Sequence, residues 1–109
     1  MQNSINNEIF EKANEWVVAN QKVVIITVIQ TWGSSPKPIG SKMIVNENGN
    51  FFGSVSAGCV ESTVIQDSLE IIQKNILFKK KTFEVSDESA WEVGLSCGGK
   101  LTIYLEMID

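Results

Sequence analysis

Two cysteines set among glycines are the residues of this chain best suited to chemistry. Cys59 lies in the run Ser-Ala-Gly-Cys-Val-Glu (56–61) and Cys97 in Gly-Leu-Ser-Cys-Gly-Gly (94–99). The chain has no histidine and no arginine, so neither a Ser-His-Asp nor a Cys-His device can be assembled from it. Glycines beside a thiol let a ligand reach backbone and sulfur together. The first motif also opens a predicted helix, and a helix N-terminus attracts anions and lowers a thiol pKa.

Three small-residue segments qualify as anion-binding backbone: Gly33-Ser34-Ser35, Ser56-Ala57-Gly58, and Ser96 through Gly98 and Gly99. Lys37, Lys42 and Lys100 stand near them in sequence and add positive charge. The plainer reading is that the glycines serve tight turns and the thiols fill small gaps in a core. Glu61 likewise has two readings: a carboxylate stabilised by the helix dipole, or a proton acceptor beside Cys59. Trp32 and Trp91 read as core or interface aromatics. The run Gly94 to Lys100 satisfies Gly-x4-Gly-Lys, but Leu101 follows where a phosphate loop needs Ser or Thr, and a strand follows where it needs a helix. No Gly-x-Gly-x-x-Gly fingerprint is present, and two distant cysteines without histidine are too few ligands for zinc.

Composition narrows the class. With 109 residues, 43% hydrophobic and 20% charged, the chain reads as one globular domain. A net charge of −4 argues against nucleic acid, which needs a basic face. No apolar run approaches the roughly 20 residues of a membrane span, and no signal-peptide core is visible. The default location is cytoplasmic, where both thiols stay reduced.

The elements that must position these residues follow from periodicity. Ile5, Ile9, Ala13, Trp16 and Val17 recur at helical spacing, with Asn3 or Ser4 as N-cap and Asn20-Gln21 as the end. Val23 to Thr31 is apolar almost throughout and reads as a central strand covered on both faces. Lys42–Val45 and Phe51–Val55 are short strands joined through Asn48-Gly49, a signal for a tight primed turn. Val60, Val64, Ile65, Leu69, Ile71, Ile72 and Ile76 form the apolar stripe of a second helix over about Val60 to Lys74, stopped at Asn75. Lys79–Val85 is a strand whose lysines protect a sheet edge. Ser89–Glu92 fits a capping box, and Leu101–Met107 alternates as a final strand. The sum is a mixed α/β domain: a mixed sheet of about five strands with two main helices.

The runs TWGSSPKPIGSKMIV, GSVSAGCVE and VSDESAWEVGLSCGGKLTIYLE resemble the N-terminal domain of the XdhC/CoxI family, accessory proteins of xanthine dehydrogenase and related molybdenum hydroxylases. The resemblance runs from about Glu8 to the C-terminus. It implies a chaperone that binds the molybdenum cofactor, protects it while its sulfur ligand is installed, and delivers it to a xanthine dehydrogenase-like hydroxylase. It implies Cys59, Cys97, Gly58, Glu61, Gly98, Gly99, Ser34 and Ser35 as the cofactor-binding set. Family members continue into a Rossmann-like domain, whose fingerprint this chain lacks; a homodimer or a separate Rossmann-domain protein would then complete the site. Two other readings are a thiol-dependent sulfur carrier using Cys59, and a non-catalytic module that docks a Rossmann partner. The expectations are therefore that Cys59 stands at a helix N-terminus and that Cys59 and Cys97 approach one another from loops on one edge of the sheet. The chain is further expected to pair through Trp32, Phe51, Phe52 and Trp91, and to bind a molybdopterin weakly without turnover of its own.

Overall fold

The computed structural model describes residues 2–32, 37–56, 58, 60–85 and 99–108. Helix α1 (Gln2–Val18) is followed by strands β1 (Val23–Trp32), β2 (Lys42–Asn46) and β3 (Phe51–Gly53), helix α2 (Glu61–Lys74), and strands β4 (Phe78–Val85) and β5 (Gly99–Ile108). The five strands form one sheet in the order β3-β2-β1-β5-β4. Every pairing is antiparallel, where the sequence reading expects a mixed sheet.

The apolar run of β1 takes the central place because both faces are used. Val24, Ile26 and Val28 join Met43, Val45, Leu101, Ile103 and Leu105 under α2, which contributes Val64 and Ile71, with Val60 just before it. The alternate residue Val23 meets Ile44 and the Ile9 and Ala13 face of α1 on the other side. Among the described residues, thirteen apolar side chains larger than alanine lie below 2% exposure, each worth roughly 1.5–3 kcal/mol of transfer free energy. Ser68 sits inside the apolar stripe of α2, fully buried, and its hydroxyl donates to the Val64 carbonyl at 2.8 Å, which satisfies it without a tertiary partner.

Helix ends follow local chemistry. Asn75 takes the left-handed conformation (φ 57°) at the end of α2, and Asn20 does so (φ 65°) after α1. At its other end α1 is already helical at Gln2, so neither Asn3 nor Ser4 is its cap. In the β2–β3 connection only Gly49 takes positive φ (84°), so the turn is not a primed two-residue hairpin. Asn46 organises it instead: its Oδ1 accepts the Asn48 and Asn50 amides, both at 3.0 Å. Strand β3 stops at Gly53, short of the expected Val55. Gly53 has φ 89°, and a Cβ there would lie 2.5 Å from the Lys42 carbonyl oxygen, so only glycine fits this departure from the sheet. The short helix expected at 89–92 lies outside the described residues.

Candidate functional site at the glycine-rich end of the sheet

Antiparallel topology carries the described ends of all three small-residue segments to one end of the sheet. β1 leaves that end at Trp32, β3 at Gly53 and β4 at Val85, while β2 enters it at Lys42 and β5 at Gly99. The end is staggered. Gly53 is level with Met43, Ile26 and Leu105, whereas Trp32 pairs with Lys100, five residues further along β5. At about 3.3 Å per residue Trp32 and Lys100 lie roughly 17 Å beyond the end of β3. Lys100 places its Nζ 4.7 Å from the centre of the Trp32 ring on that projecting part.

The Ser54–Gly58 loop lies on the shorter side and leads into α2. Its organiser is Glu61, the first helical residue and only 9% exposed. Oε2 accepts the Ser54 hydroxyl at 2.6 Å, the Val55 amide at 3.0 Å and the Ser56 amide at 2.9 Å. Oε1 accepts the Gly58 amide at 2.9 Å and the Ser56 hydroxyl in a very short bond. The Val60 amide in turn donates to Ser56 Oγ at 2.9 Å, so Ser56 ties both ends of the loop. Burial pushes the carboxyl pKa up, but the hydroxyls of Ser54 and Ser56 and the amides of Ser56 and Val55 outweigh it and bring the pKa from 4.5 down to about 2.

This arrangement corrects one expectation and decides between the two readings of Glu61. The Ser56–Gly58 segment is indeed a nest of backbone donors, but the anion it holds is the chain's own Glu61. Val55, Ser56 and Gly58 therefore do not offer these amides to the phosphate of an external cofactor. A carboxyl with a pKa of about 2 is also a weak proton acceptor at neutral pH, so the structural reading of Glu61 prevails over the general-base reading. Ser54 and Gly53 escaped sequence reasoning. The pattern Ser-x-Ser ending five residues before a helix-opening Glu was the available signal.

Of the sequence-predicted site residues, Gly58 and Glu61 are brought together at the start of α2, with Gly58 at φ 104° and open space where a Cβ would stand. Gly99 begins β5, opposite Val85. Cys59, Cys97, Gly98, Ser34 and Ser35 lie outside the described residues, as does Trp91. Gly58 and the N-cap Val60, the sequence neighbours of Cys59, are described, and α2 begins at Glu61, one residue after the expected Val60. Trp32, Phe51 and Phe52 are exposed. They do not form one patch, since Phe51 pairs with Val45 and Phe52 with Ile44, on opposite faces of the sheet. Among the described residues no cluster of acidic side chains is arranged to hold a metal ion, and no helix is long and apolar enough to cross a membrane.

Comparison with known proteins sets this geometry in a family. The sequence profile of the XdhC and CoxI family matches residues 16–78, which span β1, β2, β3, α2 and the Glu61 loop. The molybdenum cofactor insertion chaperone PaoD of Escherichia coli (strain K12) is 29% identical over 97 residues, covering 88% of this chain and 30% of PaoD. A probable xanthine dehydrogenase subunit of Bacillus subtilis (strain 168) is 26% identical over 90 residues, covering 81% of this chain and 27% of that protein. The crystal structure of a xanthine dehydrogenase from Bacillus halodurans superposes with a TM-score of 0.75 at 28% identity, covering 91% of this chain and 30% of that one. The chain thus spans about 30% of the length of these relatives. With more than half of its residues inside the family profile, this chain belongs to the XdhC and CoxI family.

Proposed function

We propose that this chain is an accessory domain in the maturation of molybdenum hydroxylases, handling the molybdenum cofactor on its way to a xanthine dehydrogenase-like partner. The observation that carries the reading is the similarity to a molybdenum cofactor insertion chaperone across 88% of the chain. In this reading Cys59 and Cys97 contribute sulfur ligation, suited to a thiophilic metal. Gly58 leaves open space for the approach of a ligand. Glu61 does not touch the cofactor; it holds the loop from Ser54 to Gly58 in the shape that precedes Cys59. Since the Val55, Ser56 and Gly58 amides are committed to Glu61, the anionic part of a cofactor is met by other groups, with Ser34, Ser35, Gly98 and Gly99 as the remaining small-residue candidates. The chain acts as a carrier with no turnover of its own.

Glu61 also bears on the sulfur-transferase reading. A carboxylate fixed at the N-terminus of α2 offsets the helix potential on which an acidic thiol would depend. That favours a binding thiol over a persulfide-carrying one. The test is anaerobic purification of the parent, Cys59→Ala and Cys97→Ala chains after co-expression with a hydroxylase, followed by metal and pterin analysis. Cofactor retained by the parent and lost on cysteine substitution supports the carrier. If no chain retains cofactor until a Rossmann-domain protein is added, the docking-module reading takes its place.

A further inference from the structure

The outer side of β4 has no strand against it among the described residues, since the sheet order ends at β4. We infer that this edge is completed by β4 of a second copy of the chain, in one antiparallel register that places Thr82 on the two-fold axis. A two-fold axis perpendicular to the sheet keeps each face on its own side, so only residues of the same face can stand opposite one another.

The faces are fixed by the pairing with β5. Lys80, Thr82 and Glu84 stand opposite Tyr104, Thr102 and Lys100 on the face away from α2. Lys81 and Phe83 stand opposite Ile103 and Leu101 on the α2 face, where the Lys81 Nζ meets Asp67 at 2.6 Å. Lys80, Thr82 and Glu84 are all exposed. With Thr82 opposite Thr82, each Lys80 is level with the second copy's Glu84, Lys81 with Phe83, and Lys79 with Val85. No like charges stand directly opposite one another, and two opposite-charge pairs flank the axis.

The neighbouring registers fail on charge. Centring on Lys81 or on Lys80 sets lysine against lysine, and centring on Glu84 sets glutamate against glutamate. Centring on Phe83 shortens the pairing and leaves Lys80 without Glu84. Cross-strand pairs of opposite charge stabilise and like pairs destabilise. The lysine run therefore does more than blunt an edge against promiscuous pairing: it selects one self-complementary alignment. The result is a continuous ten-stranded sheet, and it rests on a different surface from the aromatic residues expected to pair from sequence.

The test uses sedimentation of the full chain over a concentration series. The parent is expected to dimerise. Lys80→Glu, which sets glutamate against Glu84 twice, is expected to weaken dimerisation by about tenfold or more, and the exchange Lys80→Glu with Glu84→Lys to recover it. Circular dichroism confirms that the variants remain folded. Independently, Thr82→Cys in a Cys59→Ser, Cys97→Ser background is expected to form an intermolecular disulfide on mild oxidation, because directly opposed Cβ atoms stand ~4.5–5.5 Å apart. A parent that stays monomeric up to its solubility limit overturns the inference. A dimer indifferent to Lys80→Glu and not cross-linked through position 82 also overturns it and moves association to another surface.

Discussion

Replacing Glu61 by Gln tests the loop organiser directly. The change keeps shape and removes charge and one acceptor. In the parent, two hydroxyls and three amides converge on the two carboxylate oxygens, and the pKa falls from 4.5 to about 2. A fall of that size corresponds to roughly 3 kcal/mol, or about 2 kcal/mol once solvent screening at the rim of the loop is allowed for. Because the folded pKa is depressed, this stability is fully present above pH 4.5 and is lost as the pH falls from there through about 2. In Glu61→Gln, the amide nitrogen must replace one oxygen and confront donors with a donor. If it replaces Oε1, the Gly58 amide loses its acceptor and the Ser56 hydroxyl must turn. A stranded donor and the loss of charge assistance together cost roughly 2–4 kcal/mol. Urea unfolding at pH 7 should show a lower midpoint with unchanged slope. Titrated from pH 5 to pH 2.5, the variant should lose less stability than the parent by the share that Glu61 contributes. A variant within about 0.5 kcal/mol of the parent at pH 7, with the same acid profile, would refute the argument that Glu61 fixes this loop.

Two glycines at positive φ separate space from conformation. Gly53→Ala collides with the Lys42 carbonyl at 2.5 Å and should destabilise by about 3 kcal/mol or more, whereas Gly58→Ala meets nothing within 4 Å and should cost only the ~1–2 kcal/mol of a left-handed L-residue; thermal unfolding of the pair checks the order. Ile71→Ala empties a site 1% exposed between α2 and the sheet and should cost about 2–5 kcal/mol in urea unfolding. Asn46→Ala removes the acceptor of the Asn48 and Asn50 amides; the β2–β3 hairpin should lose hydrogen-exchange protection ahead of the central strands, with a stability loss of roughly 1–3 kcal/mol.

The chain order of elements was legible from local pattern alone. The β-branched run Val23–Thr31 had to be the central strand, although it is continuously buried or half-buried only from Val23 to Val28, with Ile29 and Gln30 exposed; the 3.6-residue stripe through Val64, Ile71 and Ile72 had to be one helix, and Asn75 could stop it in the left-handed conformation. The family was legible too, because short runs such as those around 31–45 and 53–61 are specific whatever surrounds them. What local pattern could not supply was the direction of Glu61. A carboxylate at the first position of a helix satisfies the dipole in any fold. Only after Gly53 turns the chain out of the sheet do Ser54, Val55, Ser56 and Gly58 wrap around that carboxylate, and only then is the nest filled from within. The same limit applies to the sheet. Each strand announces itself by its apolar and β-branched residues or by alternation, but strand order, the roughly 17 Å stagger at the glycine-rich end and, among the described residues, the bare edge of β4 arise from pairings between residues far apart in the chain. Periodicity records which face a residue presents; only tertiary contact decides what that face meets.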